Sequence, residues 1–181
     1  MRLAAISGLI LGSALCRQEA AAQAPPNPPP ACTAPEHRQF DFWVGYWDVY
    51  PTGKDKLVAH SLIERLYAGC TIRENWLPLS NNTGGSLNMY DPATQKWHQT
   101  WQDSQNGRVE FDGGVADGKM ILVGNWKGAN GPGKDALTRM TYTPNADGSV
   151  RQFGEQSTDG GKTWSASFDF TYRKSASTPP K

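Results

Sequence analysis

The sequence predicts an all-β protein, an antiparallel up-and-down barrel of about ten strands with one short N-terminal helical turn. Three observations predict it. No long segment between Pro35 and Lys174 shows 3.6-residue apolar periodicity, whereas short alternating runs recur about every ten residues. The runs are separated by turn formers: Asp91-Pro92, Asn106-Gly107, Asp117-Gly118 and Asn145-Ala146-Asp147-Gly148 place Gly, Asn or Asp where a hairpin needs positive φ. The apolar area is concentrated in large rings, with seven Trp in a chain that is 38% hydrophobic and carries 19 Gly and 13 Pro. Short turns make neighbouring strands antiparallel. About ten hairpin-linked strands left open would expose two hydrogen-bonding edges, so closure into a barrel ranks above a β-sandwich.

The elements follow in order along the chain, whose 181 residues suit about one domain. Residues 1–22 read as a signal peptide: Met1-Arg2 precedes an uncharged, mostly apolar run from Leu3 to Leu15, and Ala20-Ala21-Ala22 supplies the small residues of a cleavage site. The run is too short to span a bilayer comfortably. Cys16 raises a lipoprotein alternative, but Leu15 stands where a small residue is wanted before an acylated Cys. Residues 23–34 form a Pro-rich linker whose Pro25-Pro26-Asn27-Pro28-Pro29-Pro30 favours extended polyproline II. The barrel domain occupies 35–174. Pro35–Phe42 forms a helical turn that plugs one end, and strands are expected at 45–50, 57–68, 71–79, 85–90, 96–103, 108–113, 119–126, 137–143, 149–157 and 163–173. Residues 175–181 read as a disordered tail.

Two of the connections resemble those of propeller proteins, but only locally. Ser157-Thr-Asp159-Gly-Gly161-Lys-Thr163-Trp164 is similar to the Asp-box of sialidase-type blades, and Tyr90-Asp-Pro-Ala-Thr94-Gln-Lys-Trp97 looks like a kelch-type turn. Each occurs once, and the folded length holds few blades, so both are read as hairpin fasteners. In the first, Asp159 binds loop amides and Trp164 anchors the returning strand.

Charge excludes several classes of function. Eighteen Lys+Arg against 17 Asp+Glu leave a net charge of +1, so there is no global field to steer nucleic acid or an acidic membrane. Removal of the signal segment takes Arg2, Arg17 and Glu19 with it and leaves a balanced chain. It also takes Cys16 from an odd count of three, leaving Cys32 and Cys70 as a natural disulfide in an oxidising periplasmic or secreted location. His37, His60 and His98 are scattered without metal-ligand spacing, so no metal and no cofactor are predicted. Gly-x-Ser-x-Gly and phosphate-loop patterns are absent.

What remains is a set of residues at period two. Trp97, Gln99, Trp101 and Asp103 share one face of their strand, as do Glu74 with Trp76, and Ser86 with Asn88 and Tyr90. Arg139 aligns with Thr141, opposite a face carrying Met140 and Tyr142, and Arg151, Phe153 and Glu155 align likewise. If these faces point inward, Glu74, Trp76, Asn88, Gln99, Trp101, Arg139 and Glu155 line a Trp-rich polar pocket for a small molecule. The structural alternative is an ordinary aromatic core in which Glu74 and Arg139 form a buried pair.

Phe42-Trp-Val-Gly45-Tyr-Trp47 contains Gly-x-Trp at the start of the first strand, and the meander ends in Tyr172-Arg173. This resembles the calycin barrels, the lipocalins and their relatives, and the resemblance implies that Trp47 and Arg173 form a cation–π lid on the closed end. A wider pattern resembles a family of exported bacterial proteins of uncharacterised activity. It comprises Arg38-Gln-Phe-Asp-Phe-Trp43, Gly45-x-Trp47-Asp48-Val49, Gly69-Cys70, Glu74-x-Trp76, Ser86-x-Asn88-x-Tyr90-Asp91, Trp97-x-Gln99-x-Trp101, Arg139 and the Asp-box. The resemblance supports barrel and export, and carries no activity. Nitrobindin, a haem-binding barrel, is similar in shape, but the final strands offer no counterpart of its haem-ligating His. The expected function is therefore an exported barrel that binds a small molecule. Two alternatives stand beside it: an enzyme using Glu74 as general acid or base with Asp48, Asp103 or Glu155, and a structural envelope module. Oligomeric state is not legible.

Overall fold

The computed structural model describes residues 32–179. The expected signal peptide, most of the linker and the last two residues of the tail lie outside the described residues. Ten antiparallel strands close into one barrel in strict sequence order. They are β1 (Gly45–Pro51), β2 (Ala59–Leu66), β3 (Thr71–Pro78), β4 (Gly84–Asp91), β5 (Lys96–Asp103), β6 (Arg108–Ala116), β7 (Lys119–Trp126), β8 (Ala136–Pro144), β9 (Val150–Ser157) and β10 (Ser165–Lys174). β1 pairs with β10 from Trp47↔Lys174 to Pro51↔Phe170, so each described strand has a partner on both sides.

All but one of the strand bounds fall within two residues of the sequence reading, and the differences have local causes. β2 stops at Leu66 because Tyr67, Ala68 and Gly69 all adopt positive φ (52°, 55° and 89°) in a tight 3₁₀ turn into β3. β6 runs three residues further than expected, because Gly114-Val115-Ala116 continue the ladder to the Asp117-Gly118 turn. β10 begins two residues late because Thr163 and Trp164 belong to the Asp-box loop. There Asp159 accepts the backbone N–H groups of Lys162 and Thr163 and the Thr163 hydroxyl at 2.7–3.0 Å, and the Trp164 indole donates to Gly161 O at 3.1 Å. These donors hold the Asp159 carboxyl well below the usual carboxylate range, Thr163 N–H foremost.

Alternation fixes which side chains face inward. The buried set includes Trp47 and Val49 of β1, Ile63 of β2, Ile72 of β3, Trp97 of β5, Val109 and Phe111 of β6, Met120 and Leu122 of β7, Met140 and Tyr142 of β8, Val150 of β9 and Tyr172 of β10. One end is capped by the expected N-terminal segment, which forms two 3₁₀ turns, Pro35–Arg38 and Asp41–Trp43. Phe40 and Trp43 enter the barrel and stack at 4.9 Å, with Tyr142 packed against both at 4.9 and 4.8 Å. The cap is fastened by the Trp47 indole donating to Trp43 O at 2.8 Å, the Trp97 indole donating to Gln39 Oε1 at 3.1 Å, and an Arg65–Asp41 ion pair. A disulfide joins Cys32 to Cys70, and beside it the Arg38 guanidinium donates to Cys32 O at 2.5 Å and Gly69 O at 3.4 Å. A disulfide of this kind points to an oxidising, extracytoplasmic compartment.

The expected lid differs by one residue. Lys174, not Arg173, lies over the Trp47 ring, with Nζ 3.8 Å from its centroid and donating to Val44 O at 3.0 Å. Tyr172 faces inward, so alternation turns Arg173 to the outer face, where it covers Tyr50 at 4.6 Å. Gly45 makes room for this arrangement, since a Cβ there would collide with the Lys174 ammonium.

Candidate ligand-binding site

The chain order of the strands gives the barrel a polarity. The cap precedes β1, so β1 starts at the closed end, and the opposite end is where β3, β5, β7 and β9 finish and β4, β6, β8 and β10 begin. A cavity of about 180 Å³ occupies the interior above the cap. Its floor is polar, formed by Glu74, Gln99, Tyr142, Gln152 and Tyr172 together with Met140 and Phe111. Its mouth is aromatic, formed by Trp76, Trp101, Trp126, Phe168 and Phe170, all partly buried. The two levels follow from the strand repeat: Trp76 lies two residues beyond Glu74 on β3, Trp101 two beyond Gln99 on β5, and Phe170 and Phe168 precede Tyr172 on β10.

Inward-facing glycines create space for the rings. A Cβ at Gly84 of β4 would sit 2.8 Å from Trp101 Cζ2, one at Gly124 of β7 would sit 2.8 Å from Phe111 Cδ1, and one at Gly154 of β9 would overlap the Phe168 ring. Each ring therefore lies over a cross-strand position that carries no side chain. A bulge between Ala166 and Phe168 sets the β10 register that turns Phe168, Phe170 and Tyr172 inward.

The floor is one hydrogen-bonded network. Glu74 is 4% exposed and accepts the hydroxyls of Ser61 at 3.3 Å and Ser86 at 3.1 Å. Asn88 donates to Ser86 Oγ and to Ile72 O, both at 3.0 Å, which fixes its carbonyl as the acceptor for Gln99 Nε2 at 2.5 Å. Gln99 Nε2 also reaches the Tyr142 hydroxyl at 3.4 Å, Gln152 Nε2 donates to the same oxygen at 2.9 Å, and Tyr172 donates to Gln152 Oε1 at 2.6 Å. Burial pushes the Glu74 carboxyl up to about 7, against the smaller opposing effect of the Ser86, Ser61 and Tyr172 hydroxyls. Burial, aided by the nearby Glu74 charge, also pushes the Tyr142 and Tyr172 phenols upward, so neither ionises near neutral pH.

Of the seven ligand-binding candidates, Glu74, Trp76, Gln99 and Trp101 line the cavity, and Asn88 stands behind them in the network. Arg139 and Glu155 do not join them. Both lie on the outer face, where Arg139 Nε donates to Glu155 at 2.9 Å and its guanidinium covers the Trp164 ring at 4.1 Å. The inward face of β8 carries Met140 and Tyr142, and that of β9 carries Gln152 and Gly154, because the large apolar side chains take the interior and the charged pair stays hydrated. The alternative Glu74–Arg139 pair is absent for the same reason.

The expected second carboxylates also lie elsewhere. Asp48 holds His60 at 2.8 Å on the outside, and Asp103 accepts the N–H groups of Gln105 and Gly107 in a turn at 2.9 and 2.8 Å. His98 pairs with Asp112 on the outer face, and among the described residues no three His, Cys, Asp or Glu side chains cluster as a metal site would need.

The sequence reading missed Tyr142, Gln152 and Tyr172 of the floor and Trp126, Phe168 and Phe170 of the mouth. Tyr142 and Gln152 alternate with Arg139 and Arg151, and choosing the opposite face would have found them. In comparisons with known proteins, no family and no curated protein matches the chain.

Proposed function

We propose that this protein is exported to the periplasm or secreted and binds a small molecule in the barrel, without transforming it. One observation carries the reading: a hydrogen-bonded polar floor and a partly exposed aromatic mouth face each other across a cavity of about 180 Å³. Aromatic walls supply contact area and a few converging polar groups fix orientation, which is the usual composition of a ligand site. The calycin resemblance and the disulfide agree with an exported carrier.

The test is native mass spectrometry of the protein purified from its own compartment. The expected result is a bound small molecule, lost in Trp101→Ala while the fold is retained. A single bare mass, together with tryptophan fluorescence that no small-molecule panel alters, would favour a structural module instead.

A catalytic reading draws on Glu74, whose carboxyl near 7 suits a general acid or base. It needs a second reacting group. Tyr142 and Tyr172 are the side chains of the floor available for that role, and both are held protonated. Turnover abolished by Glu74→Gln with ligand binding retained would establish it.

A further inference from the structure

We propose that the ligand is a protonated amine with a single-ring apolar body, its ammonium held at Glu74 and its ring among the mouth aromatics. The inference rests on the reading of the cavity as a ligand site and names what that site selects.

Charge is the first ground. Among the described residues, Glu74 is the one charged side chain on the cavity wall, with no Lys or Arg beside it there. The cations on neighbouring strands are committed on the outer face: Arg73 to Glu64, Arg139 to Glu155 and Arg151 to Asp169. Once Glu74 is ionised, an anionic ligand would meet a carboxylate with no counter-ion, and a neutral hydrocarbon would leave it with its two serine donors and no counter-charge. A cation supplies the counter-charge that the ionised Glu74 lacks.

Hydrogen-bonding capacity is the second. An ionised carboxylate offers about four acceptor sites. Two serine hydroxyls reach Glu74 at 3.1 and 3.3 Å, and the nearby Tyr172 hydroxyl gives its one proton to Gln152 Oε1, so acceptor capacity remains. Gln99 turns its N–H groups toward Asn88 and Tyr142, and among the described residues no side-chain donor reaches its carbonyl oxygen. An ammonium, with three donors and no acceptor, fits such a floor.

Shape is the third. Floor and mouth are two residues apart on β3 and β5, roughly 6.6–6.8 Å along a strand, a separation suited to a two-carbon arm between ammonium and ring. The walls are π faces, which attract cations and stack on rings alike. A dry cavity of roughly 150 Å³ is enough for benzene in another protein, so about 180 Å³ admits one ring with a short arm.

The proposal has a pH signature. The groups facing Glu74 are Ser61 of β2, Ser86 of β4, Tyr142 of β8 and Tyr172 of β10, with no His, Lys or Arg among them, and both phenols are held protonated. Amine binding therefore follows Glu74 ionisation.

The probes are 2-phenylethylamine, its neutral analogue 2-phenylethanol and its anionic analogue phenylacetate. They are titrated by calorimetry and tryptophan fluorescence into the wild-type protein and Glu74→Gln, whose folding is checked by thermal unfolding. The wild type is expected to bind the amine at least tenfold more tightly than the alcohol at pH 8 and to leave phenylacetate unbound. Glu74→Gln should bring amine and alcohol within about threefold. Wild-type amine affinity should rise about tenfold from pH 6 to pH 8 as Glu74 ionises, with the alcohol unchanged, and this arm needs no variant. An alcohol that binds as tightly as the amine, a preference that survives Glu74→Gln, or an amine affinity flat from pH 6 to 8 overturns the proposal. In the first case the cavity still binds a ligand and only the amine selectivity fails. If no probe binds, the amine proposal falls, and the native-mass experiment decides separately whether the cavity holds any ligand.

Discussion

Glu74 owes its chemistry to a strand position that turns it inward among rings and hydroxyls. Its raised pKa means that the folded state binds a proton more tightly than the unfolded chain does, so this residue favours folding most below about pH 4.5, and that contribution is lost as pH rises through about 7. The loss amounts to roughly 3 kcal/mol. Glu74→Gln is therefore expected to raise Tm at pH 8 by roughly 5 °C or more, and to flatten the pH dependence of stability between pH 5 and 8. Equal Tm for variant and wild type at pH 8, measured by circular dichroism, would show that the carboxylate is better hydrated than its burial implies. The second residue of interest is Lys174. Its ammonium lies on Trp47 and caps Val44 O, whereas Arg173 sits outside on Tyr50. Lys174→Ala should cost about 1 kcal/mol and Arg173→Ala less, and the reverse ranking in urea titration would show that the Lys174 cover of Trp47 contributes less than the Arg173 contacts with Tyr50 and Asp55.

Hairpins are the unit at the next scale, and adjacent glycines in β6 differ in what they do. A Cβ at Gly113 would run into the Ile121 carbonyl oxygen of β7, while one at Gly114 meets nothing within 4 Å. Gly113→Ala is expected to destabilise by about 1–3 kcal/mol, because backbone rather than a movable side chain must give way. Gly114→Ala should be neutral or stabilise by a few tenths of a kcal/mol, through the unfolded chain. Chemical denaturation of the two variants compares them directly, and similar losses at both positions would mean that the close β6–β7 approach is not what Gly113 permits. The Asp-box hairpin is legible in the same terms: its motif forecasts the Asp159 contacts because they are local, made within four residues along the chain.

At the scale of the whole molecule, the Cys32–Cys70 disulfide ties the capping segment to the turn between β2 and β3 across 38 residues of chain. A loop of that length corresponds to roughly 3–4 kcal/mol of lost unfolded-state entropy. Reductant is therefore expected to lower Tm, and an unchanged Tm would show that Phe40, Trp43 and the Arg38 contacts hold the cap without it. Closure of the barrel itself is legible in the sequence, since a long hairpin meander without helical periodicity has few other ways to protect its edges. Phe40 is legible as part of a plug because it lies in the short turn-forming segment Pro35–Phe42 before β1, whereas Trp43, which joins it in the barrel, stands one residue beyond that segment.

Strand count, antiparallel order, the capping turn, the pairing of two cysteines and four of the cavity side chains are legible in the residues alone, because periodicity, turn chemistry and cysteine count act locally or by simple parity. The sequence left the facing of β8 and β9 undetermined. Alternation assigns two faces to a strand without saying which is inside, and a shift of one residue exchanges them. Period two alone therefore admits Arg139 and Glu155 as inward residues, while Tyr142 and Gln152, on the opposite faces, hold the floor. The same parity moved the partner of Trp47 from Arg173 to Lys174. Only the closed barrel decided these positions: ten strands must bury one continuous set of faces together, and in that set Tyr142 and Tyr172 meet the capping rings while the charged pairs remain in water. The same closure places Glu74, the one carboxylate of the described cavity wall, beneath a mouth of aromatic rings.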